Sequence, residues 1–282
     1  MELQEYLKER KKLVDEALDR FLPEKNDYPP ALHKAMRHSI FAGGKRLRPI
    51  IALAVADLLG FDRKEMMATA CALEMTHTSL LILDDLPCMD DANMRRHKPC
   101  CHKEYGEDIA ILASTSLVFR AFEIVDDTEA SREIAVCLGS KGVCGGQAVD
   151  LEFMNKDTDA EILEYIHDHK TGALFVGAVK AACAKAKAPE DKKEALVDYA
   201  KKLGLMFQIK DDLLDTESTS EELGKDTNKD GKKNTFVTHY GAEKAREMMK
   251  KNMWDAIKAL QPFEGEAEIL VEIARFVGDR RN

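Results

Sequence analysis

The sequence predicts an all-α fold in one domain, and three observations carry that prediction. Apolar residues recur at helical spacing throughout, few stretches alternate with period two, and β-branched and aromatic residues are sparse, the aromatics making up only 6% of the chain. At 282 residues the chain can bury a large core. No repeat with a period of roughly 20–50 residues and no low-complexity linker divides it, so residues 1–282 are expected to form a single unit.

Composition excludes several function classes. A net charge of −9, from 51 acidic against 42 basic residues, argues against a general nucleic-acid or anionic-membrane binder, while leaving room for local basic clusters that hold phosphates. The 7 cysteines are odd in number and form no CxxC pair, which points to a reducing cytoplasm. Cys100-Cys101-His102 contains zinc-ligand types, but adjacent cysteines rarely reach one tetrahedral ion. No apolar run is expected to span a bilayer, for which about 20 residues are needed. The N-terminal stretch reads as an amphipathic helix of mixed charge, not as a signal peptide.

Taken in order, the chain begins with Leu3, Leu7, Val14, Leu18 and Phe21 on one helix side, stopping near Pro23. A second helix leads into residues 41–49, FAGGKRLRP. Its two glycines allow close backbone approach to a ligand, and Lys45, Arg46 and Arg48 supply anion-binding side chains. Two apolar helices follow, over 50–59 and about 64–86. The second carries His77 and Asp84 nearly two turns apart, pointing into the same space.

At its end lies the densest charge in the chain, residues 76–96, THTSLLILDDLPCMDDANMRR. Asp84, Asp85, Asp90 and Asp91 cannot share a small volume without raising one another's pKa, so such a cluster calls for a cation. On an unbroken helix Asp84 and Asp90 would lie ~240° apart, so the chain must distort at Pro87 for both to grip one ion cluster.

Residues 133–154 contain Gly139, Gly142, Gly145 and Gly146, small residues at helical spacing that let neighbouring helices approach, with Gln147 and Asp150 one turn apart. Residues 161–184 form another helix, interrupted by Lys170-Thr171-Gly172. Further on, Gln208, Asp211 and Asp215 fall at i, i+3 and i+7 on one helix face, within a second acidic cluster, DDLLD, at 211–215. Residues 223–233 mimic the opening of a calcium loop, but Val237 stands where the bidentate Glu belongs and four lysines crowd the loop. A mobile phosphate-binding lid fits better. Either acidic cluster alone could be a solvated helix end. Both begin Asp-Asp-Leu after an apolar segment, and together with Arg95 and Arg96 they suggest a cavity for magnesium and phosphate.

In order along the chain, GGKRLRP, HTSLLILDDLPCMDD followed by RR, GGQAVD, KTG, FQIKDDLLD and LGKD resemble the trans-isoprenyl diphosphate synthases from end to end. The resemblance implies an all-α barrel of long helices around a deep central cavity, as a homodimer. It implies magnesium, as three ions per site, held by Asp84, Asp90 and Asp211, with Asp85, Asp212 and Asp215 completing the carboxylate shells. Lys45, Arg48, His77 and Arg96 match positions that hold isopentenyl diphosphate. Arg95, Lys170, Thr171, Gln208 and Lys225 match those around the allylic diphosphate, whether dimethylallyl, geranyl or farnesyl. The family commonly has His at Leu83, Gly at His97, Gly-Asp at Ser114-Thr115 and another residue at Lys210. None of these departures removes a ligand.

The chemistry follows from these residue types. Cations and carboxylate-held metal stabilise a leaving diphosphate, an apolar cavity shields the allylic cation from water, and isopentenyl diphosphate adds five carbons per cycle. No side-chain base stands out, so the departing pyrophosphate takes the proton. A class I terpene cyclase would need only one diphosphate site, and a non-catalytic helical partner would not need both acidic motifs. For product length, Ser79 lies ~7.5 Å before Asp84 along the axis and Leu80 lies directly beneath it, forming a floor. The small Ser79 favours geranylgeranyl diphosphate, with farnesyl diphosphate second.

Overall fold

In a computed structural model, residues 2–154, 156, 158–217 and 234–280 are described. Helix periodicity in the sequence translates directly into packing. Helix α1 (Leu3–Phe21) buries Tyr6, Val14, Ala17 and Leu18 on one face and leaves its charged face outside. Helix α2 (Pro30–Ile40) opens on a proline at its first position, where the missing N–H costs no bond. Helix α3 (Leu47–Leu58) is apolar all round and buried along residues 47–56, which makes it a core helix.

Helix α4 (Arg63–Asp84) starts at Asp62, whose carboxylate accepts the Lys64 N–H at 2.8 Å. Its length and hydropathy would suit a bilayer span, contrary to the sequence expectation that no run approaches one. Here it is a core helix instead: 67% of its apolar window is buried inside the protein, and it packs against α3 and α6 (Glu107–Ile124).

After α4 a two-stranded hairpin, β1 (Met94–Arg95) with β2 (Lys98–Pro99), leads into α5 (Cys101–Tyr105) and α6. Arg96 and His97 at the hairpin turn take φ of 54° and 62°. That left-handed geometry explains why the resemblance expects glycine at 97. Among other residues, histidine is one of the more tolerant of it.

The stretch 133–154 divides into α7 (Thr128–Leu138) and α8 (Val143–Glu152). The break falls at Gly142, where a Cβ would stand 2.0 Å from the Cys137 carbonyl oxygen. Helix α9 (Ala160–Ile166) passes through a π-helical turn, His167–Gly172, into α10 (Ala173–Lys185), so Lys170-Thr171-Gly172 forms the distortion its charge suggested. Helix α11 (Glu190–Glu217) is followed by α12 (Phe236–Tyr240), α13 (Ala242–Ala259) and α14 (Glu268–Asp279). Helix α11 packs along α13, α10 against α7, and α3 against both α4 and α10. The observed architecture is therefore all-α, with almost no sheet.

One buried ion pair fixes where the basic turn meets this core. Arg46 takes φ 54° ahead of α3, and its Nη1 donates to Glu74 Oε1 of α4 at 2.7 Å. Both side chains are almost fully buried, at 1% and 2% exposure. Arg46 also donates to Asp15 Oδ1 at 2.8 Å and to the Ile40 carbonyl at 2.6 Å, tying α1, α2, α3 and α4 together. Removing one partner would leave a buried charge under-compensated. Glu74→Ala is expected to lower the unfolding free energy by about 3 kcal/mol in urea denaturation. A loss below ~1 kcal/mol would mean that the pair is not a structural anchor.

Candidate active site

The first acidic wall grows out of the C-terminal end of α4. Instead of continuing the helix past Pro87, the chain folds back. The Asp90 N–H donates to the Asp84 carbonyl at 2.9 Å, and the Ala92 N–H donates to the Asp85 carbonyl at 3.1 Å. These bonds use helix-end carbonyls that would otherwise be unsatisfied, and they return Asp90 to the neighbourhood of Asp84. Asp85 is buried and held by Arg95, whose Nε lies 2.8 and 2.9 Å from its two oxygens. Burial pushes the Asp84 carboxyl up to about 6, with repulsion from Asp90 and Asp85 adding to it and Lys170 and Arg95 opposing it.

The second wall lies on α11. Asp212 is buried, and its two oxygens accept the Gln208 Nε2–H and the Phe236 backbone N–H, each at 2.8 Å. Burial lifts its carboxyl to about 7 despite those two bonds. In each Asp-Asp pair the second member is thus anchored inside. The first member of the second pair, Asp211, accepts from Arg280 Nη2 at 2.6 Å. Asp215 is exposed at the next turn.

Lys45 and Arg48 of the basic set lie in the field of Asp211. Lys45 stands within electrostatic reach of Asp211 and Arg280. Arg48 is buried, lies over the Phe175 ring at 4.7 Å, and contacts His77 Nε2 at 3.2 Å. Burial lowers its pKa to about 10. Since a guanidinium only donates, His77 Nε2 must accept and the neutral imidazole carries its proton on Nδ1. Burial first, then Arg48 and Arg96, hold the His77 pKa well below the usual value. Arg96 donates to the Gly43 carbonyl at 2.6 Å, and Gly44 beside it takes φ +112°, a backbone conformation that favours glycine.

The π turn touches both walls. Lys170 Nζ donates to Asp150 Oδ2 at 2.6 Å and lies in the fields of Asp84 and Asp90. Burial alone would lower its pKa, but these carboxylates outweigh it and raise it. The Thr171 hydroxyl donates to Gln208 Oε1 at 2.7 Å, so the Gln208 amide links Thr171 to Asp212.

The floor residues separate. Ser79 is buried against α6, where the Ser114 hydroxyl donates to the Ser79 carbonyl at 2.9 Å. Leu80 packs with Leu138, Val143 and Leu174. Lys225 lies outside the described residues. Arg280 and the Asp150 partnership were missed in the sequence. Neither the Arg280–Asp211 nor the Asp150–Lys170 pairing gives a signal in the sequence, because the partners lie far apart along it. Among the described residues no three His, Cys, Asp or Glu groups converge to hold a metal unaided, Cys100-Cys101-His102 included.

Comparison with known proteins shows the family of the chain. A polyprenyl synthetase family model matches residues 29–274. The geranylgeranyl diphosphate synthase of Cyanophora paradoxa is 40% identical over 290 residues, covering 98% of this chain and 96% of that protein. The apo crystal structure of an FPP/GFPP synthase from Zymomonas mobilis matches with a TM-score of 0.87 and 33% identity over 98% of both chains. The geranyltransferase of Helicobacter pylori, complexed with magnesium and isoprenyl diphosphate, matches at 0.84 and 29%, over 98% of this chain and 96% of that one. With a family model spanning most of its length and a curated relative matched nearly end to end, this chain belongs to the polyprenyl synthetase family.

Proposed function

We propose that this protein is a trans-prenyltransferase that condenses isopentenyl diphosphate with allylic diphosphates, making geranylgeranyl diphosphate as its main product. The observation that carries the reading is the π turn. Its Lys170 meets the field of the first acidic wall and its Thr171 bonds to the second, while a separate basic set of Lys45, Arg48 and Arg96 stands to one side. Two diphosphate sites fit a condensation, whereas a cyclase needs one.

Asp84, Asp90 and Asp211 offer hard oxygen donors. Such oxygen donors suit magnesium, which retains waters and takes substrate phosphate oxygens in preference to an all-protein site. The number of three ions rests on the family resemblance. Bound magnesium would stabilise the charge that builds on the leaving diphosphate as its C–O bond breaks. Lys170, Arg95 and Lys225 would hold that diphosphate, and Lys45, Arg48 and Arg96 would hold isopentenyl diphosphate. Neutral His77 would steady Arg48 as its hydrogen-bond acceptor. The apolar group around Leu80 would keep water from the allylic cation.

The same reading takes residues 1–282 as one domain, in the cytoplasm, where the 7 free thiols would persist. It also takes the protein as a homodimer. Ile111, Leu112 and Phe119 form an exposed apolar stripe on α6, at 46%, 52% and 64% exposure, which a second copy would cover. Farnesyl diphosphate is the second product reading, favoured by the name of the Zymomonas mobilis neighbour.

Two tests follow. Incubated with isopentenyl diphosphate and separate C5, C10 and C15 starters, the wild type should make mostly C20, and Ser79→Phe mostly C15. An unchanged product distribution would place the floor elsewhere. Asp84→Asn should abolish turnover and also change metal-free stability with pH. Because folding raises the Asp84 pKa from 3.8 to about 6, its neutral form favours the folded state below the first value, and that advantage is lost as pH rises through the second. In urea denaturation the variant should therefore gain on wild type by on the order of 2 kcal/mol between about pH 4 and pH 7.5. A pH-independent difference would show that Asp84 is not strained.

A further inference from the structure

The π turn is gripped from two sides by the same device. On α8, Gly146 is followed four residues later by Asp150. On α11, Gly204 is followed four residues later by Gln208. In a helix, i and i+4 lie on one face. Each pair therefore presents a bare backbone and a polar side chain to the same neighbour.

The glycines are sterically required. A Cβ on Gly146 would stand 2.3 Å from the Lys170 backbone nitrogen and 2.8 Å from the His169 carbonyl carbon. A Cβ on Gly204 would stand 2.8 Å from the Gly172 Cα. The polar members then take consecutive side chains. Asp150 Oδ2 accepts from Lys170 Nζ at 2.6 Å, and Gln208 Oε1 accepts from Thr171 Oγ1 at 2.7 Å. A π turn carries one residue too many for regular α geometry, so its side chains depend on outside contacts for their aim.

We propose that Asp150, with Gly146 beneath it, is a positioning residue that aims the Lys170 ammonium at the Asp84–Asp90 wall, and that Gly204 with Gln208 does the same for Thr171. This rests on the reading of Lys170 as a contact to the allylic diphosphate. Without Asp150 the flexible lysine stem is free to swing off that aim. It would then no longer be held in place for the diphosphate. Small misplacements of such a group cost about a hundredfold in rate.

The test is a double-mutant cycle on kcat/KM for the allylic substrate with Asp150→Asn, Lys170→Ala and the combination. Asp150→Asn should cost about tenfold or more in allylic kcat/KM while leaving the KM for isopentenyl diphosphate within about twofold. Asp150→Glu should recover part of the loss. In the Lys170→Ala background, Asp150→Asn should change little, because the lysine through which it acts is gone. Losses that multiply in the double variant, or an Asp150→Asn enzyme indistinguishable from wild type, would overturn the proposal.

A second readout does not need turnover. Limited acetylation followed by peptide mass spectrometry should modify Lys170 several-fold more in Asp150→Asn than in wild type, relative to surface lysines. Equal modification would also overturn it. Wild-type protein that fails to elongate any starter would sink the prenyltransferase reading, whereas active wild type with multiplying losses would sink this clamp alone.

Discussion

The arrangement depends on one constraint: carboxylates gathered at the end of an apolar helix repel one another and sit at the negative end of its dipole. Asp84 is the last residue of α4, at the negative end of its dipole, with Asp85 beside it and Asp90 folded back against it. A structure can tolerate this only by dividing the charges. In both motifs the second aspartate is taken inside and bonded, Asp85 to Arg95 and Asp212 to Gln208 and the Phe236 N–H. The first aspartate is left with an uncompensated share. Asp84 responds by holding its proton to about 6, and Asp211 by binding Arg280.

That residual strain is what a divalent cation with a diphosphate would relieve, and the surrounding scaffold is built to keep it in place. The buried Arg46–Glu74 pair fixes the glycine turn, beside which Arg96 reaches the Gly43 carbonyl. The π turn spans the space between the walls and is held by paired glycine and polar contacts. Stability is given up at the carboxylates and recovered in α3, α4 and α10, where most side chains are buried.

Much of this was legible in the sequence because it rests on periodicity. The helices, the two acidic motifs, the interruption at 170–172 and the need for a distortion after Pro87 all follow from spacing alone. What remained hidden depends on partners distant in sequence. Nothing in the string pairs Arg280 with Asp211, Asp150 with Lys170, or the Phe236 N–H with Asp212, since each partner lies between 20 and 69 residues away. The division of 133–154 was hidden for another reason. Its glycines keep helical spacing but serve both to break a helix at Gly142 and to admit a neighbour at Gly146, and spacing cannot tell these roles apart. The Gln208 bond to Thr171 was hidden in the same way as the distant pairings.

The central claim is that the two walls act only together, through metal and diphosphate. It is tested most directly by titration calorimetry of inorganic pyrophosphate, with and without magnesium, against wild type, Asp84→Asn and Asp211→Asn. The account predicts tight binding by wild type only when magnesium is present, and its loss in each variant while the helical circular dichroism signal is retained. Magnesium-dependent binding of wild-type strength in either variant would contradict it.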